Sequence, residues 1–142
     1  MKKSLKLFAL ALYVLSASAF AEDAALNVQT CLDANNTVEM MDCFKSKIDQ
    51  SENNIKHHLK NLKICLAEHK NTVKTTTRSL IRAQKAWDRY RQAQCLFIRD
   101  KGEGTIASID VNICYLNLTE ERAQYLKKTY QECVNPESAL NS

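Results

Sequence analysis

Six cysteines, three histidines and a scatter of acids are the side chains of this 142-residue chain whose types could do chemistry. Cys95 stands four residues from both Arg91 and Arg99, a setting that stabilises a nucleophilic thiolate. Cys65 and His69 have the spacing of half a zinc site on a helix, but no second ligand pair stands at a suitable distance. His57 and His58 are adjacent, so on a helix they point about 100° apart and form no pincer. There is no Cys-x-x-Cys redox motif, and no sequence argument pairs two acids for glycoside hydrolysis. Gly102-Glu103-Gly104 is too short and wrongly charged for a phosphate loop. The residues therefore give no catalytic group, no metal site and no cofactor, and the chain does not read as an enzyme.

The cysteines have a better use. Residues 1–21 have the pattern of a signal peptide: Lys2, Lys3 and Lys6, an apolar run from Leu7 to Leu15, and an Ala19-x-Ala21 cleavage site. The apolar run is too short to be a permanent membrane span. Cleavage after Ala21 would leave 22–142 with no integral membrane segment, and a periplasmic or secreted location follows. All six cysteines, Cys31, Cys43, Cys65, Cys95, Cys114 and Cys133, lie in that part. An even number in a small exported domain reads as a disulfide framework, which makes structural bonds the better account of Cys65 and Cys95. The signal also carries three of the basic residues. The chain has 20 Lys+Arg against 16 Asp+Glu, and without the signal 17 against 16, a net +1. Such a total does not argue for nucleic acid or an anionic membrane as a partner.

Two glycines and one proline in the whole chain imply long, unbroken helices. Residues 22–36 lack a periodic pattern and read as an N-terminal arm. Thr37 is the candidate N-cap of a first helix whose Met41, Phe44, Ile48, Ile55, Leu59, Leu62 and Leu66 recur at steps of three, four or seven. Ser51 and Glu52 interrupt that stripe and mark a place for a kink or a frayed turn. Lys70-Asn71-Thr72 is the expected turn, and a second helix runs from about Val73 to Arg99. A third begins near Thr105 with Ile106, Ile109, Ile113, Leu116, Ala123, Leu126, Tyr130 and Cys133 in register. It stops at Asn135-Pro136, and 135–142 form a flexible tail. Helices of near-equal length, roughly 45 Å each, predict an all-α, up-down-up three-helix bundle over 37–134. In that geometry Cys95 and Cys114 sit at similar depth on either side of the glycine turn, and Cys65 and Cys133 finish at the same end. Cys31 and Cys43 can close a local loop. Of fifteen possible pairings, Cys31–Cys43, Cys65–Cys133 and Cys95–Cys114 are preferred.

The second helix carries the stretch around which the bundle is organised, Gln84 to Cys95, with the only tryptophan. Leu80, Ala83, Trp87, Tyr90 and Gln94 follow at steps of three and four and define its inward face, with Trp87 and Tyr90 as core anchors and Gln84 and Arg91 at the edge.

Gln84-Lys85-Ala86-Trp87, Tyr90-Arg91, Cys95, the glycine turn, Cys114 and Thr119-Glu120-Glu121-Arg122, preceded by Cys31 and Cys43, resemble the LprI-type lysozyme inhibitor domain over residues 31 to about 126. Two features depart from the pattern. Ile55-Lys56-His57-His58-Leu59 stands where the family usually has Leu-Asn-x-x-Tyr, and Cys65 and Cys133 look like additions to a four-cysteine set. The resemblance implies a protein partner, a lysozyme, blocked at its active-site cleft. The alternative is a periplasmic structural or regulatory interaction module without lysozyme activity. Gln84, Trp87, Tyr90, Arg91 and Arg122 match the family pattern. A buried polar network locking the second helix to the third is the preferred role for Gln84 and Arg91, with Arg122 nearby, because an arginine on an apolar face needs acceptors. The expected contact surface is the exposed turn Lys101, Gly102, Glu103, Gly104 and Thr105.

Overall fold

The computed structural model describes residues 18–68 and 73–136. The first 17 residues of the expected signal, His69, the expected turn at 70–72 and the tail from 137 lie outside the described residues. Four helices make up the described chain: α1 (Ser18–Leu32), α2 (Thr37–Glu68), α3 (Val73–Lys101) and α4 (Gly104–Val134). Among the described residues there is no strand, and no helix is long and apolar enough to cross a membrane.

The helix count corrects the expected three-helix bundle: the segment read as an arm is helical as far as Leu32 and irregular only over 33–36. Its inward stripe is only two turns long, Asn27, Val28, Cys31 and Leu32, too short to register as periodic. Val28, Cys31 and Leu32 pack with Phe44 and Leu116, and the Cys31–Cys43 disulfide fastens α1 to α2.

α2 is one continuous helix of 32 residues, without the break considered at Ser51 and Glu52. Ser51 is buried, a small side chain where the neighbouring helices approach. The cap is Asn36, one residue earlier than expected. Its Oδ1 accepts from the backbone N–H of Glu39 at 3.0 Å, while Asn35 donates to the Glu39 carboxylate at 3.0 Å. Side-chain hydrogen bonding from Asn35 first, and then from Asn36, holds the Glu39 pKa below its usual value.

α4 is the central element. It packs along α2 and, less extensively, along α3 and α1, whereas α2 and α3 touch little. Two apolar clusters result. One joins Phe44 and Cys31 to Leu116, with Met40, Ile48, Ile109 and Ile113 around them. The other joins Ile55 and Leu62 to Ala123 and Leu126, with Leu59, Leu66, Leu80, Trp87 and Tyr130 around them. The pairing shows that α2 and α4 run the same way, and the Cys65–Cys133 bond closes their shared end. Cys95–Cys114 joins α3 to α4. Ile106, expected on the inward stripe of the last helix, is instead 71% exposed, and the buried residue of that first turn is its neighbour Ala107.

Candidate functional site

Between the two apolar clusters lies a layer of polar side chains. Ser51, Thr119 and Glu120 are its buried members, with Thr119 wholly inaccessible. Every helix contributes. From α1, Asn27 Nδ2 donates to Glu120 Oε1 at 2.7 Å. From α3, Arg91 Nη1 donates to Thr119 Oγ1 at 2.8 Å and pairs with Glu52 Oε1 of α2 at 2.9 Å. The Thr119 hydroxyl in turn donates to the carbonyl of Tyr115 one turn earlier. Farther along, Arg122 Nε donates to Gln84 Oε1 at 3.0 Å. The Trp87 ring is bracketed by both guanidinium groups, Arg91 at 4.9 Å and Arg122 at 5.8 Å from its centroid. Arg91 also lies 5.5 Å from the Tyr115 ring, and Arg122 5.2 Å from that of Tyr125. Burial draws the Arg122 pKa down from its usual value, with Tyr125 and Asp88 opposing.

Gln84, Trp87, Arg91 and Arg122 are thus brought together, and Tyr90 is not. Tyr90, expected in the core, is 54% exposed, and Ala83 is exposed too. The inward face of α3 is Leu80, Gln84, Trp87, Arg91 and Cys95, rotated by one position from the expected stripe. Arg91 and Gln84 sit in the middle of that face because the polar layer supplies acceptors that a purely apolar reading leaves out. Sequence reasoning also missed the part of Glu52, Thr119 and Asn27 in this network. The missed signal was the coincidence of polar residues at one depth in the three long helices, Ser51-Glu52, Arg91 and Thr119-Glu120.

This layer has the chemistry of a register lock. Most of its groups are bonded to one another, although Arg91 Nε is buried without a hydrogen-bond partner among the described residues, and a network of this kind favours one alignment of the helices over slipped ones. The cysteines are all in disulfides. Among the described residues no group of three His, Cys, Asp or Glu is arranged to hold a metal. His57 and His58 stand edge to face with ring centroids 5.4 Å apart.

The turn between α3 and α4 has the opposite character. Lys101, Gly102, Glu103, Gly104 and Thr105 are all exposed. Gly104 has φ +63°, left-handed backbone that disfavours other residues. A side chain at Gly102 would place its Cβ 2.9 Å from that of Ala107. The two glycines therefore hold a tight reversal for different reasons, one conformational and one steric. On either side Phe97 and Ile106 are 61% and 71% exposed, and Lys101 Nζ lies 5.9 Å from the Phe97 ring centroid. Anchored behind by Cys95–Cys114, the turn is a protruding tip with apolar shoulders and one charge of each sign.

A family model described as lysozyme inhibitor LprI matches residues 29–126, well over half of the chain. The protein belongs to the LprI lysozyme inhibitor family. Comparison with curated proteins finds no match, and comparison with solved structures finds none.

Proposed function

We propose that this protein is an exported inhibitor that silences lysozyme by seating the Lys101–Thr105 turn in the enzyme's active-site cleft. Membership of the lysozyme inhibitor family over residues 29–126 is the observation that carries the reading. Export is supported by the signal pattern of residues 1–21, with cleavage after Ala21, and by three disulfides, which persist in oxidising compartments such as the periplasm. The turn is favoured as the contact because it is exposed, held by a disulfide at its base, and flanked by Phe97 and Ile106. A rigid tip loses little conformational freedom on binding. Its ammonium at Lys101 suits the paired carboxylates of a glycosidase cleft. The polar layer has the supporting role of keeping the helices behind the tip in register.

The test is the clearing of a bacterial cell-wall suspension by lysozyme, with and without the oxidised 22–142 protein. Dose-dependent protection is expected, together with its loss when residues 101–105 are scrambled in a protein of unchanged helicity. Full inhibition by the scrambled protein would move the contact elsewhere. No protection against goose-, chicken- or invertebrate-type lysozymes would leave an envelope interaction module as the better account.

A further inference from the structure

The near-neutral charge of residues 22–142 conceals a strong segregation. Residues 56–91 carry ten lysines and arginines and only two acids, Glu68 and Asp88. The segments on either side, 22–55 and 92–142, carry seven lysines and arginines against fourteen acids. Since 56–68 is the end of α2 and 73–91 the beginning of α3, the basic charge of these helices gathers toward the end of the bundle closed by Cys65–Cys133. There α2 and α3 border an open groove of about 720 Å³, lined by Lys63, Ala67, Arg78, Ile81, Arg82 and Lys85 together with half-buried Thr77. The other six side chains are exposed, and among the described residues none of the four cations is paired with a carboxylate.

We propose that this groove docks the protein on an anionic lipid surface. An ordinary solvated helix face intersperses acids with bases at i,i+4 spacing. Here Arg78, Arg82 and Lys85 follow at steps of four and three with no acid among them, and Lys63 faces them from α2. Between the cations lies an apolar strip, with Ile81 38% exposed. Cations flanking an exposed aliphatic strip fit a plane of lipid phosphates, where the ammonium and guanidinium groups meet the headgroups and the isoleucine enters the interface. A single phosphate would need donors converging on one point. These are spread over about 10 Å of α3 and on a second helix. The surface is distinct from the turn at 101–105: Ile81 and Gly102 are separated by roughly 30 Å of helix. Docked by its basic end, the bundle would hold that turn away from the lipid.

The test uses the protein purified after export, with its disulfides formed, and co-sedimentation with vesicles. Binding is expected to vesicles of phosphatidylglycerol mixed with phosphatidylcholine and not to phosphatidylcholine alone, and it should be lost on raising the salt. Each basic residue at such a surface contributes roughly a five-fold factor, so Arg78→Glu with Arg82→Glu should weaken binding by roughly twenty-fold or more. Ile81→Ser should weaken it with the salt dependence unchanged. Lys45→Glu with Lys47→Glu makes the same change in net charge outside the groove and should leave binding within about two-fold of the parent. Equal losses in the two charge-reversed pairs would reduce the effect to total charge and overturn the proposal. So would failure to bind anionic vesicles at low salt, whether or not an acidic peptide or inorganic phosphate binds instead. No lysozyme enters this assay, so its outcome is independent of the inhibitory reading.

Discussion

Arg91 of α3 reaches Glu52 of α2, Nη1 to Oε1 at 2.9 Å, across two helices that otherwise touch little. The same nitrogen donates to Thr119 of α4, so one guanidinium gathers three helices. The two ends of the ion pair differ in surroundings, with side-chain exposure of 15% at Arg91 and 36% at Glu52. Arg91→Ala removes both polar bonds, the contacts with Trp87 and Tyr115, and the packing of the side chain, and should destabilise the fold by about 2–4 kcal/mol. Glu52→Gln, at the wetter end, should cost no more than about 1 kcal/mol. Urea unfolding of the oxidised proteins separates the two. Equal losses would mean that the ion pair alone carries the effect.

Trp87 and Tyr90 stand three residues apart on α3 and should respond very differently to truncation. Trp87 packs against the Ile55, Leu62, Ala123 and Leu126 cluster and under two guanidinium groups, so Trp87→Ala should cost about 3 kcal/mol. Tyr90 projects into solvent, and Tyr90→Ala should change stability by no more than about 0.5 kcal/mol. A Tyr90→Ala protein that loses inhibition at full stability would place Tyr90 in the lysozyme contact and shift the binding surface from the turn to the outer face of α3.

The lengths of the three long helices were legible in the sequence because scarce glycine and proline and apolar steps of three and four agree over many turns. The same lengths bring Cys65 level with Cys133 and Cys95 level with Cys114. α1 was not legible, since two turns of Asn27, Val28, Cys31 and Leu32 give no stripe until Phe44 and Leu116 are there to receive them. The face of α3 was read one position off for a related reason. Apolar periodicity selects Ala83 and Tyr90, while the fold turns Gln84 and Arg91 inward because Glu52, Thr119 and Arg122 supply their partners. A buried polar layer is a property of several helices at one depth, and no single helix displays it. Total charge hid the groove at Lys63 and Arg82 in the same way, because opposite excesses in two parts of the chain cancel.

The disulfides should differ in what they contribute, because they close loops of different length. Cys65–Cys133 has a sequence separation of 68 and Cys31–Cys43 one of 12. By the chain-entropy relation these correspond to about 4 and about 3 kcal/mol. Replacing Cys65 and Cys133 together by serine should therefore lower the thermal midpoint more than the same change at Cys31 and Cys43. The second change has a local signature as well. With α1 released, amides of residues 25–32 should exchange with solvent faster while those around Leu126 stay protected. Uniform loss of protection would show that α1 is integral to the cooperative fold.

Gly104 and Gly102 set the tip by different means, and alanine at each should report the difference. At Gly104 an added Cβ meets nothing within 4 Å, so only the left-handed backbone is penalised, by about 1–2 kcal/mol. At Gly102 the added Cβ collides with Ala107, and the start of α4 has to move. Gly102→Ala should therefore alter the tip's shape and impair inhibition, while Gly104→Ala lowers stability and leaves inhibition closer to the parent. Clearing assays at saturating inhibitor, paired with thermal melts, distinguish these outcomes.

Acid should weaken this fold in part through His58. Burial, then the neighbouring charges of His57 and Lys127, hold its pKa below the usual 6.5. Its Nδ1 is buried with no hydrogen-bond partner among the described residues. With the folded pKa below the unfolded one, the unfolded chain binds more protons as pH falls beneath about 6.5. Acidification then draws the equilibrium toward the unfolded state. The stabilising effect of the neutral ring is complete above the unfolded value and fades as pH falls toward the depressed folded one. Denaturant midpoints at about pH 8 and about pH 5 should show a larger acid loss for the parent than for His58→Gln, in which this proton-linked contribution is absent. Equal losses would assign the acid sensitivity to groups other than His58. A smaller loss in the parent would mean that protonated His58 is favoured in the fold and that its surroundings are more solvated than the packing of α2 against α4 implies.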